Sequence, residues 1–342
     1  MTLAVAIMMR DEEVSVCNTI RSIGKYAYKV FIEDTGSKDR SIEFAKGMCN
    51  ELLLDMELIE EKWVDFSTNR NKLLDLAYSK RNEWDFLLLL DCNDVLLDSD
   101  NFFTQIKRIQ EVPEFKKYTS FSMMQKWNIG KGEADFQGTR LLQNTCKLKY
   151  RGVVHEYLCR EDGSVEEPLK VPNGVIYQDR RIHSTSTIQR MDRDIQLLLK
   201  EVAEKNFHRD VYYLAKTYQD LGNYAEAEKW YLHRHKMGDV ANFKEEMLDI
   251  LIKLGDCCYI QKKPDQALEW YKKSLKLQER PEAYNRITEI YLNYALKCAK
   301  LGCGLKQTET VLAVLKDEWD KVRWNRLKAC KRAIDTLNEE NN

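Results

Sequence analysis

Trp84-Asp85-Phe86-Leu87-Leu88-Leu89-Leu90, followed at once by Asp91-Cys92-Asn93-Asp94, is the stretch on which the fold turns. The apolar run is short for a buried helix and is bounded by polar residues, so it reads as a strand. Odd and even positions are equally apolar, which suits a strand covered on both faces, as in parallel sheets. Polar residues at its carboxyl end then fall where open α/β sheets place their ligands.

Working outward, the same grammar recurs. Leu3 to Met9 reads as a buried strand and Val14 to Ile23 as a helix. Lys29 to Glu33 is a second strand, closed by the turn Asp34-Thr35-Gly36-Ser37, and Ser41 to Asn50 is again helical. Leu58 to Lys62 is read as a third strand and Asn69 to Ser79 as a helix. Tyr118 to Tyr177, dense in glycine and carrying Pro168 and Pro172, reads as a loop-rich mixed sheet with a strand at Cys146 to Tyr150. Polar clusters end the first strands: Arg10-Asp11-Glu12-Glu13, Asp34 to Asp39, and Asp91 to Asp94. Taken singly, each could cap a turn or answer a helix dipole; three at successive strand ends point to a site.

The chain has 342 residues, 32% charged and 44% apolar, enough for two domains and incompatible with disorder or a disulfide miniprotein. Its 54 basic and 55 acidic residues leave a net charge of -1, without the basic field that nonspecific nucleic-acid binding needs. The ten cysteines show no C-x-x-C or zinc-finger spacing, and reduced core thiols in a cytoplasmic protein are expected. The opening MTLAVAIMMRDEE has no basic start or cleavage site and reads as a first strand rather than a signal peptide. No run is long enough to span a membrane.

From about Ser184 the pattern becomes helical. Ile188, Met191, Ile195, Leu198, Leu199 and Val202 space one long helix, the expected connection over 186–206. Leu214, Ala215, Tyr218, Ala227 and Tyr231 then recur forty residues on as Leu254, Gly255, Cys258, Ala267 and Tyr271. This pattern resembles the tetratricopeptide repeat. The resemblance implies stacked helical hairpins over 207–342, an insertion near Gly238–Phe243, a degenerate third unit from Pro281 and a closing helix over Lys321 to Leu337. A concave ridge bearing Tyr212, Tyr213, Lys216 and Gln219 would grip a peptide; buttressing or a dimer contact is the alternative.

Residues 1–185 carry I-M-M-R-D-E-E at 7–13, F-I-E-D-T-G-S-K-D at 31–39, W-V-D-F-S-T-N-R-N at 63–71, L-L-L-L-D-C-N-D at 87–94 and G-V-V-H-E at 152–156. In this order they resemble the family 2 glycosyltransferases, whose GT-A fold binds nucleotide sugars, and more narrowly the branch followed by tetratricopeptide repeats. The resemblance implies an α/β domain with a mixed, mostly parallel sheet ahead of an all-α domain. It puts Asp34 on the nucleotide base, Glu12 at the base and ribose pocket, and Arg70 on ribose or diphosphate. A surface arginine paired with Asp75 is the plainer reading of Arg70. Arg140 is assigned to phosphate or acceptor.

Asp91-Cys92-Asn93 stands where the family has Asp-x-Asp, which holds a divalent cation on the donor diphosphate. Asn93 departs from that pattern at the loss of one charge, with Asp94 as a candidate replacement. His183 is implied as a further ligand, favouring Mn²⁺ over Mg²⁺. Glu156 is the implied general base, with Asp135 in reserve and His155 orienting the acceptor or Glu156. The expected activity is an inverting transfer from a UDP-sugar to a hydroxyl of a protein, peptide or glycan. A catalytically weak or inactive interaction protein is the alternative that Asn93 favours. A nucleotidyltransferase, which also uses an α/β fold and metal carboxylates, is the weaker rival; the absence of a glycine-rich basic loop near residue 10 counts against it.

Overall fold

A computed structural model describes residues 1–128, 133–179, 187–238 and 244–300. The chain divides into two compact units, Met1–Thr187 and Ile188–Asn342. In the first, β1 (Leu3–Met9), β2 (Ala27–Asp34), β3 (Asp55–Glu60) and β4 (Phe86–Asp91) run parallel in the order β3-β2-β1-β4. The helices α1 (Val16–Ile23), α2 (Ser41–Glu51) and α3 (Phe66–Ser79) connect them. On β4 the alternation is plain. Phe86, Leu88 and Leu90 join the core with α1 and α2, whereas Leu87 and Leu89 face Leu73, Leu74 and Ala77 of α3. Burial on both faces accounts for the unbroken leucine run.

Two elements escape the sequence reading. After Cys92 and Asn93 the chain forms β5 (Asp94–Leu97) and then α4 (Ser99–Glu111). Beyond them come β6 (Ser120–Asn128), β7 (Glu133–Gln143), a small hairpin of β8 (Lys149–Arg151) and β9 (Tyr157–Cys159), and β10 (Leu169–Asp179). The full order β3-β2-β1-β4-β7-β6-β10-β5 puts β5 at the far edge, though only two residues separate it from β4. Such a connection requires the sheet to curl, returning its last strand to the end of β4. The β5–β10 register then sets Asp94 opposite Gln178.

Boundaries shift for local reasons. The third strand occupies Asp55–Glu60, not Leu58–Lys62, and the expected strand at Cys146–Tyr150 is the shorter β8. Helix α3 starts three residues early because Asp65 caps it, its Oδ1 accepting the Thr68 N–H at 2.8 Å.

The described elements of the second unit are all helices: α5 (Thr187–Lys205), which begins at the unit boundary, α6 (His208–Asp220), α7 (Tyr224–Lys236), α8 (Lys244–Ile260), α9 (Pro264–Leu277) and α10 (Pro281–Lys300). Ala215, Ala227 and Tyr231 pack with Ile250, Leu254 and Cys257, and Cys258, Ala267 and Tyr271 pack with Ala283 and Ile287. Small residues at the repeat positions let helices approach. A Cβ on Gly255 would collide with the Tyr271 ring. Two residues of the expected peptide ridge are engaged inside the unit: the Tyr212 hydroxyl donates to Asp249 at 2.8 Å, and Gln219 accepts from the Tyr231 hydroxyl at 2.9 Å. Lys216 is at the surface, paired with Asp220 at 3.3 Å. Most of the expected insertion and the closing helix over Lys321 to Leu337 lie outside the described residues. No described helix is long and apolar enough to cross a membrane, and Cys17, Cys49, Cys92, Cys146, Cys159, Cys257 and Cys258 are free thiols.

Candidate active site at the strand ends

Register brings the polar clusters together. Met9 lies beside Asp34, and Met8 beside Asp91. The loops after β1 and β2 are then knitted by hydrogen bonds. The Asp11 N–H donates to Ser37 Oγ at 2.9 Å, the Glu12 N–H to Ser41 Oγ at 2.6 Å, and the Lys38 N–H to Asp11 Oδ1 at 2.7 Å. Asp34 is buried, and its carboxylate is engaged in its own turn. Oδ2 accepts from the Gly36 and Ser37 N–H groups at 3.0 and 2.9 Å, and Oδ1 accepts from the Ser37 hydroxyl. Its present work is therefore the turn-forming role, with the site lying around it. The Glu12 carbonyl starts α1 by accepting the Ser15 and Val16 N–H groups, and its carboxylate accepts from the Ser15 hydroxyl. Burial, with Asp91, Asp39 and Asp11 nearby, raises the Glu12 carboxyl above its ordinary range.

At the centre stands Arg70, on the first turns of α3 and 8% exposed. Its Nη2 donates to Asp91 Oδ1, and its Nε donates to Glu156 Oε1 at 2.8 Å. The Tyr150 ring centroid lies 5.4 Å from the guanidinium carbon. Pairing with Asp75 is thereby corrected: Asp75 faces Lys149 at 3.4 Å, and Arg70 points inward because it shares the buried stripe of α3 with Leu73, Leu74 and Ala77, which pack on the sheet. One guanidinium thus joins the strand-end acid to the proposed base.

Arg140, on β7, closes the cluster from the other side. Its Nη2 lies 3.3 Å from Asp91 Oδ2, and its Nη1 lies 3.5 Å from Asp94 Oδ2. Gln125 on β6 holds it, Oε1 accepting from Nε at 3.0 Å and Nη2 at 2.5 Å. Burial alone would raise the Asp91 carboxyl, but the two guanidiniums outweigh it and hold the group well below the usual carboxylate range. Asp94 goes the other way: it is fully buried, and burial together with neighbouring Asp91 pushes it up despite Arg140.

The remaining candidates divide. Asn93 Oδ1 accepts from Gln178 Nε2 at 2.6 Å. His155, next to Glu156, has a φ of 52°, a left-handed conformation uncommon for a bulky residue and concentrated at functional sites. Asp135 is exposed on β7 beside Lys126 at 3.9 Å, and no contact among the described residues joins it to Asp91. His183 lies outside the described residues. Gln125 and Gln178, both buried and both central to the network, were missed. Their signal was a lone amide within each apolar strand, at S-F-S-M-M-Q and G-V-I-Y-Q.

Of the Mn²⁺ ligands expected, Asp91, Asn93 and His183 with Asp94 in reserve, the described ones, Asp91, Asn93 and Asp94, do not offer a cation free oxygens. Both Asp91 oxygens accept from guanidiniums, the Asn93 oxygen is held by Gln178, and Asp94 is buried under Arg140 with its Oδ2 accepting the Asp91 N–H at 2.8 Å. A hard cation needs oxygen lone pairs facing a common point without fixed positive charge beside them. Among the described residues, the acids that do converge are Asp55, Glu57 and Glu83, and Lys29 Nζ sits among them at 3.1, 2.5 and 2.7 Å.

Residues 209–280 match the tetratricopeptide repeat family. No curated protein sequence matches the chain. Among solved structures, S. aureus TarS in complex with UDP-GlcNAc is similar at 13% identity and a TM-score of 0.41, over 88% of this chain and 92% of that one. The UDP complex of S. aureus TarS is 14% identical at a TM-score of 0.36, over 89% and 93%. Glucosyl-3-phosphoglycerate synthase from Mycobacterium tuberculosis, with Mg²⁺ and UDP, is 14% identical at a TM-score of 0.28, over 38% and 45%.

Proposed function

We propose that the chain is a glycosyltransferase that moves a sugar from a nucleotide donor, a UDP-sugar, to an acceptor hydroxyl with inversion. The observation that carries this reading is the Asp91–Arg70–Glu156 clasp at the ends of parallel strands, assembled from three separate stretches of sequence. Base and ribose would lie along the Glu12 and Asp34 loops, and the diphosphate against Arg70 and Arg140. Glu156 takes the proton from the acceptor hydroxyl while that oxygen bonds to the anomeric carbon. The anomeric carbon–oxygen bond to the diphosphate breaks in the same step, and its electron pair leaves with the nucleoside diphosphate. Guanidiniums already fixed in place answer the charge that develops there. Residues 1–185 would be the transferase domain, 186–206 the connecting helix, and 207–342 the part that meets a protein or peptide acceptor or partner.

A panel of nucleotide sugars scored for slow donor hydrolysis tests the reading without knowledge of the acceptor. One donor hydrolysed above background, and lost in Glu156→Gln, supports it. UDP binding with no turnover of any donor makes this a non-catalytic nucleotide-sugar protein, and neither binding nor turnover removes the reading altogether.

A further inference from the structure

The misfit of a cation at the end of β4 has a chemical counterpart. Relative to Asp-x-Asp, Asn93 removes one negative charge, and Arg70 and Arg140 add two positive ones beside Asp91. Neither arginine is a stray surface group. Arg70 is fixed by Glu156, and Arg140 by the Gln125 carboxamide, which is itself 3% exposed. Gln125 fits because residue 138 is glycine: a Cβ there would collide with Gln125 Nε2. Positive charge at this strand end is thus built in, Arg70 by α3 and Arg140 by the neighbouring strands β7 and β6.

We infer that Arg70 and Arg140 occupy the role of a divalent cation here, so that a nucleoside diphosphate binds at the end of β4 without metal. This rests on the reading of the site as a nucleotide-sugar site. Guanidiniums offer phosphate oxygens several N–H donors in a fixed fork, and the diphosphate shares donors that Asp91 now accepts from. Asp91 is accordingly a positioning residue that holds the two arginines at one point until the donor arrives. A dication at the same place would face two like charges within hydrogen-bonding reach of its first ligand.

The test uses the full chain, stripped with EDTA, in two arms. Electron paramagnetic resonance of equimolar MnCl₂ without nucleotide should show the aqueous Mn²⁺ signal undiminished by the protein. Calorimetry with UDP should give an affinity in MnCl₂ no tighter than in EDTA, since chelation by Mn²⁺ only removes free UDP, and Arg140→Gln should weaken it at least tenfold in EDTA. Loss of one equivalent of aqueous Mn²⁺ signal, restored by Asp91→Ala, would overturn the inference, as would a tenfold tighter UDP affinity with Mn²⁺. UDP binding in neither buffer would sink the nucleotide-sugar reading and the diphosphate half of this inference. The Mn²⁺ signal would then still decide by itself whether the strand end takes a cation.

Discussion

Replacing Arg70 by methionine removes the one group that binds both Asp91 and Glu156. The volume is nearly kept, so the loss is electrostatic rather than a cavity. Each severed bond is charge-assisted, worth about 1.5–3 kcal/mol, and both carboxylates stay behind without that partner. Screening reduces the sum: the side chains of Asp91 and Glu156 are 26% and 16% exposed, and Asp91 keeps Arg140 at 3.3 Å. The expected cost at pH 7 is therefore about 3 kcal/mol, at the low end for breaking a buried pair. That is roughly a hundredfold in the opening equilibrium. The pH dependence has a definite sign. Despite burial, the two arginines depress the Asp91 carboxyl in the folded state. Its contribution is present above the unfolded value of about 3.9 and is lost as pH falls towards the folded one, so the gap between wild type and variant narrows below about pH 4. Hydrogen exchange of the peptide spanning β4, measured across a urea series, isolates the first unit from the helical one. A loss under about 1 kcal/mol at pH 7, or a gap unchanged at pH 3, would refute the clasp as a buried ion-pair network.

Glu156→Gln keeps shape and loses basicity, so donor binding should survive within a few-fold while transfer falls by at least ~10²; transfer near the wild-type rate moves the base elsewhere. Glu33 on β2 is fully buried, its Oε1 accepting from Asn69 Nδ2 at 2.7 Å and its Oε2 without a partner among the described residues. Burial pushes its carboxyl up to about 7 from 4.5. The stability that its retained proton contributes is complete below pH 4.5 and declines as pH rises through 7, so Glu33→Gln should stabilise the chain at pH 8 by about 2 kcal/mol and flatten that slope in urea titrations. Gly255→Ala drives a methyl into the Tyr271 ring; helical melting followed at 222 nm should show a loss of about 1–3 kcal/mol, and an unchanged midpoint would mean that the two helices separate freely.

Composition and periodicity carry the fold because burial is a local pattern. An apolar run such as Phe86–Leu90, short for a helix, suits a strand covered on both faces, and the recurrence of Ala215 and Ala227 as Gly255 and Ala267 suits helices packed at close range. Both features appeared where the sequence placed them. Sequence also located the acids at the strand ends, since in a parallel sheet the carboxyl ends lie side by side whatever the loops do. It could not say what those acids touch. Arg70 meets Asp91 and Glu156 rather than Asp75 because it shares the buried face of α3 with Leu73, Leu74 and Ala77. Arg140 comes over Asp91 and Asp94 because β7 pairs with β4, and Asn93 meets Gln178 because the curled sheet brings β10 and β5 back to the end of β4. Charge pairing depends on distances of a few ångströms between segments far apart in the chain, and no local pattern encodes them. Where the acids lie was therefore determined by sequence alone, and whether their charge is free to hold a metal or already answered by arginine was decided by the tertiary structure.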